Sequence, residues 1–136
     1  METQVKHEII IRDYEESDFP YIQQLNAAEG WSGLVERGGE TKGAWSRSNA
    51  SCVACAGETV IGYLRGMTDT HITLYICELL ISNSYRKSGV GKRLLRHVHE
   101  AYPTTRMEIL ASSSSQSYYE QLGFRPFYGF RKTIDE

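Results

Sequence analysis

The chain has 136 residues, 40% hydrophobic, 24% charged and 11% aromatic, with a formal net charge of −2, a size that suits one domain with a core of its own. The ordinary apolar fraction and the modest Gly and Pro content exclude collagen-like, low-complexity and disordered chains. No stretch approaches the ~20 apolar residues of a membrane span, and residues 1–8 lack the apolar centre of a signal peptide, so a cytoplasmic protein with no membrane partner is expected.

Residues 8–12 are a β-branched run and read as a first strand. Ser17-Asp18-Phe19-Pro20 reads as a helix start, with a capping Ser and Pro in the first turn. The helix runs to about Ala28, with Phe19, Ile22 and Leu25 on one face. Residues 30–43 hold five glycines and Trp31 and read as a loop or weak helix, with a short helix over 44–47. Residues 51–56 and 59–67 flank Gly57-Glu58, the pattern of a β-hairpin. The nearly continuous apolar run 72–81 reads as a central strand covered on both faces.

A helix follows over 89–102, with Val90, Leu94, Leu95, Val98 and Ala101 inward and Lys92, Arg93, Arg96 and Glu100 outward. Pro103 stops it. Residues 107–111 read as a strand, 115–122 as a short helix closed by Gly123, and 124–134 as a last, aromatic strand. The order β-α-(α)-β-β-β-α-β-α-β predicts an α/β domain with a mixed sheet. Cys52, Cys55 and Cys77 lie in apolar runs and read as buried; in a strand, Cys52 and Cys55 face opposite sides. No His, Cys or acid spacing fits a metal site.

Charge is unevenly placed. Residues 1–40 carry nine acids and three bases, about −6, whereas 79–99 carry five bases (Arg86, Lys87, Lys92, Arg93 and Arg96) and no acid. The basic stretch coincides with a strand–turn–helix junction, Ile81 to Lys92, containing Gly89 and Gly91. Glycines allow close backbone approach, and the free N–H groups of a helix start converge on an anion. A Walker loop fails because Arg86 stands where its first glycine belongs and Arg93 follows Lys92. A dinucleotide fingerprint fails because Leu94 replaces its third glycine. What remains is Arg86-x-x-Gly89-x-Gly91.

That pattern resembles the acetyl-CoA-binding turn of the GNAT superfamily of N-acyltransferases. The likeness extends through the opening IIIRDYEESD, the hairpin Ile61-Gly62-Tyr63, Leu79-x-Ile81, Tyr85-Arg86 and the closing Tyr118-Tyr119-Glu120-Gln121-Leu122-Gly123-Phe124. It implies one domain over residues 1–136: a mixed, mostly antiparallel sheet flanked by helices and splayed where CoA binds. It implies that backbone groups of the Leu79-Leu80-Ile81 stretch pair with the pantetheine arm. Amides of Arg86, Lys87, Ser88, Gly89, Val90, Gly91 and Lys92 would hold the pyrophosphate. Tyr119 matches the Tyr that protonates the departing thiolate, and Ser112 stands where the family often has Asn.

Acyl transfer to an amine also needs the amine deprotonated and the oxyanion stabilised. Glu78 is the only charge between residues 72 and 81, so it is the candidate base, direct or through water. The other reading of Glu78 is a structural acid paired with Arg65. Tyr119 lies about 100° round its helix from Tyr118; Tyr118 is assigned to the core and Tyr119 to the splay, or else to packing. Trp31, Arg65 and Tyr75, with Trp45, are candidate walls of the acceptor pocket, and the acidic start suggests a cationic acceptor. The expected activity is direct transfer from acetyl-CoA to a primary amine of a small molecule, without acylation of Cys77, by a monomer or homodimer. A protein amine and a non-catalytic CoA-binding module are the alternatives. A nucleic-acid partner is disfavoured by the sequence pI of about 6.1 and by the lack of aromatic residues among the bases.

Overall fold

A five-stranded sheet runs in the order β1 (Ile9–Asp13), β2 (Cys52–Ala56), β3 (Thr59–Thr68), β4 (Thr73–Ile81) and β5 (Arg106–Ile109). The computed structural model describes residues 8–136; residues 1–7, where a leader was sought, lie outside the described residues. The first three pairings are antiparallel and β4–β5 is parallel, so the sheet is mixed and mostly antiparallel as expected. The middle strand is β3, not the apolar run 72–81, which forms β4 beside the edge.

Helices cover both faces. On one face α4 (Val90–Ala101) buries Val90, Leu94, Leu95 and Val98 against Cys52, Ala54, Leu64, Leu74 and Ile76. Ala101, assigned to the same stripe, is exposed. On the other face α1 (Phe19–Glu29) sets Ile22 beside Val53, Cys55, Tyr63 and Leu80, with Phe19 and Leu25 half-buried around them. Cys52 and Cys55 therefore sit in opposite layers of the core, as strand geometry requires. Burial pushes the Cys52 thiol up to about 12, so it stays protonated.

Of the two readings of the glycine-rich stretch, the structure realises the helix, as α2 (Ser32–Glu36) and α3 (Gly38–Arg47). The Thr41 hydroxyl lies 2.6 Å from the Leu34 carbonyl oxygen and 3.0 Å from that of Arg37, clasping the two helices. Trp45 then drops into the core, 2% exposed, against Tyr14 and Tyr63. Tertiary burial outweighs the poor helix propensity of glycine there.

The start of α1 is organised by Asp18 rather than Ser17. The Asp18 carboxylate, 4% exposed, accepts the Glu15 N–H at 2.9 Å and two Arg12 nitrogens at 2.8 Å. Lastly, residues 124–136 form no strand, and Phe127, Tyr128 and Phe130 stand 81–96% exposed, so β5 has no described strand on its outer side.

Burial opposes ionisation of Asp18, but the Arg12 and Glu15 hydrogen bonds outweigh it and hold the carboxyl below its ordinary 3.8. A depressed native pKa stabilises the fold above the unfolded value and loses that stabilisation as pH falls through the native one. Asp18→Asn is therefore expected to cost about 1–3 kcal/mol at pH 7. Its difference from wild type should shrink below pH 3.8, as followed by urea unfolding across pH.

Candidate active site

The sheet opens where β5 stops. Parallel pairing runs from Thr73–Arg106 to Ile76–Ile109, whereas β4 continues to Ile81. From Cys77 to Ile81 the strand keeps β3 on one side and has no strand partner on the other among the described residues. Backbone donors and acceptors thus line a wedge of the kind an extended ligand can join as an added strand.

A bulge sits at the mouth of this wedge. Arg65 pairs with Glu78 and Gly66 with Ile76, leaving Cys77 as an extra residue in β4. The bulge resets the alternation of side chains. Leu74 and Ile76 face α4, and beyond the bulge Leu79 and Ile81 do so while Leu80 faces the other layer. Glu78 is thereby turned from the α4 side to the face where Arg65 waits. Burial raises the Cys77 thiol, which disfavours the thiolate.

The wedge leads to the basic turn at the start of α4. Lys87 (φ 63°) and Gly89 (φ 82°) are both left-handed, and Gly89 caps the helix. Gly91 lies so close beneath Tyr118 that a methyl group there would collide with the phenol hydroxyl. Val90 is buried. The Ser88 hydroxyl donates to the Tyr85 carbonyl. Arg93 reaches the Ile9 carbonyl at 2.9 Å and Arg96 pairs with Glu100, whereas Lys87 and Lys92 have no ion-pair partner among the described residues.

The two tyrosines lie on α5 (Gln116–Gln121). Their placement differs from expectation: Tyr118 points at the start of α4 beside Leu79, not into the core. Tyr119 packs edge-on between Tyr118 and Phe124, at 5.1 and 5.6 Å between ring centres. Burial, helped by Tyr118, pushes the Tyr119 phenol up to about 12, so it holds its proton at neutral pH. Ser112 is held in a serine turn, its hydroxyl 2.9 Å from Ser114 and 3.1 Å from Ser115.

On the opposite face, Trp31, Arg65 and Glu78 line a cleft of about 580 Å³. Arg65 and Glu78 form a two-point ion pair, their side chains 15% and 17% exposed, and Arg65 also meets the Ser48 hydroxyl at 3.1 Å. Of the two readings of Glu78 drawn from sequence, the structure realises the Arg65 pairing. Tyr75 and Trp45 do not line the cleft: Tyr75 lies before the bulge and Trp45 in the core.

Further walls, among them Leu34 of α2, Arg37 at the junction, and Glu40 and Thr41 of α3, come from the stretch read as a loop or weak helix, where sequence singled out none of these residues. The spacing Leu34, Thr41, Trp45 is helical and was the available signal. Four of the eight described acids of the start are paired elsewhere: Asp13 with His97, Asp18 with Arg12, Glu29 with Arg86, and Glu16 with Lys42. Among its described acids only Glu40 lines the cleft.

The fold and sequence can be set beside known proteins. A GNAT-family acetyltransferase of Streptococcus pneumoniae superposes with a TM-score of 0.80 at 20% identity, covering 95% of this chain and 100% of that one. A Trypanosoma brucei acetyltransferase gives 0.67 at 20% identity over 93% and 99%. An aminoglycoside N-acetyltransferase in complex with CoA gives 0.74 at 17% identity over 96% and 98%. At such identities these likenesses carry the fold alone. No curated protein matches the sequence. The family model described as an acetyltransferase (GNAT) domain matches residues 47–126, more than half of the chain and the whole stretch from β2 through α5. The chain belongs to the GNAT acetyltransferase family.

Proposed function

We propose that the protein is an N-acetyltransferase moving the acetyl group of acetyl-CoA to a primary amine of a small molecule. The observation that carries this reading is the convergence of two openings on the β4 bulge. The wedge beyond Ile76 leads from the bulge to a helix start with two lysines unpaired among the described residues, suited to a pantetheine arm ending in a pyrophosphate. The cleft of about 580 Å³ on the other face lies within the range of small-ligand pockets. The CoA complex of the structurally similar aminoglycoside acetyltransferase supports the choice of donor.

In the proposed reaction the amine nitrogen attacks the thioester carbonyl, a tetrahedral oxyanion forms, and its collapse breaks the C–S bond. Backbone N–H groups at the unpaired edge of β4 are the available oxyanion donors. Tyr119, protonated at neutral pH, gives the departing thiolate its proton. An alkylammonium with a pKa near ~10.4 must first lose a proton. Both oxygens of Glu78 are held by Arg65 nitrogens, so Glu78 acts through water in the open cleft. The raised Cys77 thiol fits direct transfer without an acyl-cysteine.

Acetyl-CoA at a hundredfold excess over Kd is expected to stabilise the protein by about 2.7 kcal/mol. A rise in Tm, followed by amine-dependent release of free thiol across an amine panel, is the expected result. An unchanged Tm together with no thiol release from any amine would remove the proposal.

A further inference from the structure

Arg86, the residue that opens the glycine pattern, does not stand free at the turn. Its Nε donates to the Ile81 carbonyl at 3.2 Å, and its terminal nitrogen is bound by the Glu29 carboxylate, 57 residues away in sequence. Glu29 is the last residue of α1, whose final turn carries no base. A carboxylate at the negative end of a helix is unfavourable unless a cation meets it. Arg86 is that cation, and it ties α1 to the end of β4.

The next residue explains what the tie does. Lys87 adopts φ 63°, a left-handed conformation that costs a non-glycine residue energy and persists only where its surroundings impose it. The turn is fixed on both sides of Lys87: Arg86 is anchored to Ile81 and Glu29, and the Ser88 hydroxyl is anchored to the Tyr85 carbonyl. The helix-start amides that follow, from Gly89 onward, are aimed by this backbone.

We infer that Arg86 and Glu29 form a strap that presets the donor turn, and that Arg86 is a positioning residue rather than a phosphate ligand. The phosphate charge is met by the turn's amides with Lys87 and Lys92, whose side chains have no ion-pair partner among the described residues. This rests on the acetyl-CoA reading above for its ligand, but the strap itself belongs to the ligand-free protein.

The test is a cycle of Glu29→Gln, Arg86→Gln and the double variant, with Lys92→Gln for comparison, read by CoA titration at several salt concentrations. Each strap variant is expected to weaken CoA about three- to fivefold, the range of an exposed ion pair. The double variant should be no worse than either single one. The salt dependence of binding should persist in Arg86→Gln and become shallower in Lys92→Gln. Tighter binding in Glu29→Gln, additive losses, or a shallower salt dependence in Arg86→Gln would overturn the assignment and make Arg86 a phosphate ligand. Amide exchange of residues 87–92 without CoA is the second readout. It should speed up in both single variants, and unchanged exchange would also overturn the strap. Faster exchange in both single variants, with a wild-type protein that binds no CoA, would leave the strap standing and remove the donor reading instead.

Discussion

Gly66→Ala is expected to lower the unfolding free energy by about 2–3 kcal/mol, at the upper end of the cost of overfilling a packed site. A methyl group at this position on β3 would lie 2.6 Å from the Ala50 carbonyl oxygen and 3.3 Å from that of Tyr75. Both are backbone atoms, so no side-chain rotation relieves the collision. The Gly66 carbonyl also accepts the Ala50 N–H at 3.1 Å, which fixes the strand entering β2. Moving this backbone strains the adjoining bulge, because Gly66 faces Ile76 and Arg65 faces Glu78 across the extra residue. The variant should therefore lose acetyl transfer along with stability. Gly33→Ala is the control: nothing lies within 4 Å of a methyl group there, and α2 gains helix propensity. Denaturant midpoints at equal slope measure both, and a Gly66→Ala change within about 0.5 kcal/mol of wild type would contradict the close approach.

The sequence announces some of these features and conceals others for physical reasons. The inner stripe of α4 is legible because a 3.6-residue period over a long segment has one reading, and the glycine turn because its chemistry is local. The C-x-x-C pair is legible because strand alternation is a strict geometry. The bulge at Cys77 leaves no mark in the apolar run 72–81, since an inserted residue changes register and not composition. That hidden reset decides which face receives Glu78. The helices α2 and α3 are concealed by their glycines: their order comes from Thr41 clasping Leu34 and from Trp45 reaching the core. The direction of Tyr118 also escapes local reading, because its hydroxyl reaches the space left by Gly91 on another helix.

The Arg65–Glu78 pair offers the second large effect, and its asymmetry is the informative part. Both side chains are more than four-fifths buried, and each oxygen of Glu78 meets a guanidinium nitrogen. Removing one partner of such a pair leaves an uncompensated charge in a poorly solvated place, whereas removing both is often nearly neutral. Arg65→Met is expected to cost about 2–4 kcal/mol, somewhat less than a fully enclosed pair because the cleft admits water. Adding Glu78→Met should recover most of that loss. Activity should separate from stability in this series. The double variant, though folded, should lack amine-dependent thiol release while still binding CoA, because the pair stands on the acceptor face and the turn at α4 does not depend on it. A double variant as unstable as Arg65→Met would show that the pair is needed for packing beyond charge neutralisation. A double variant with full turnover would take Glu78 out of the proton path and leave water alone to carry it.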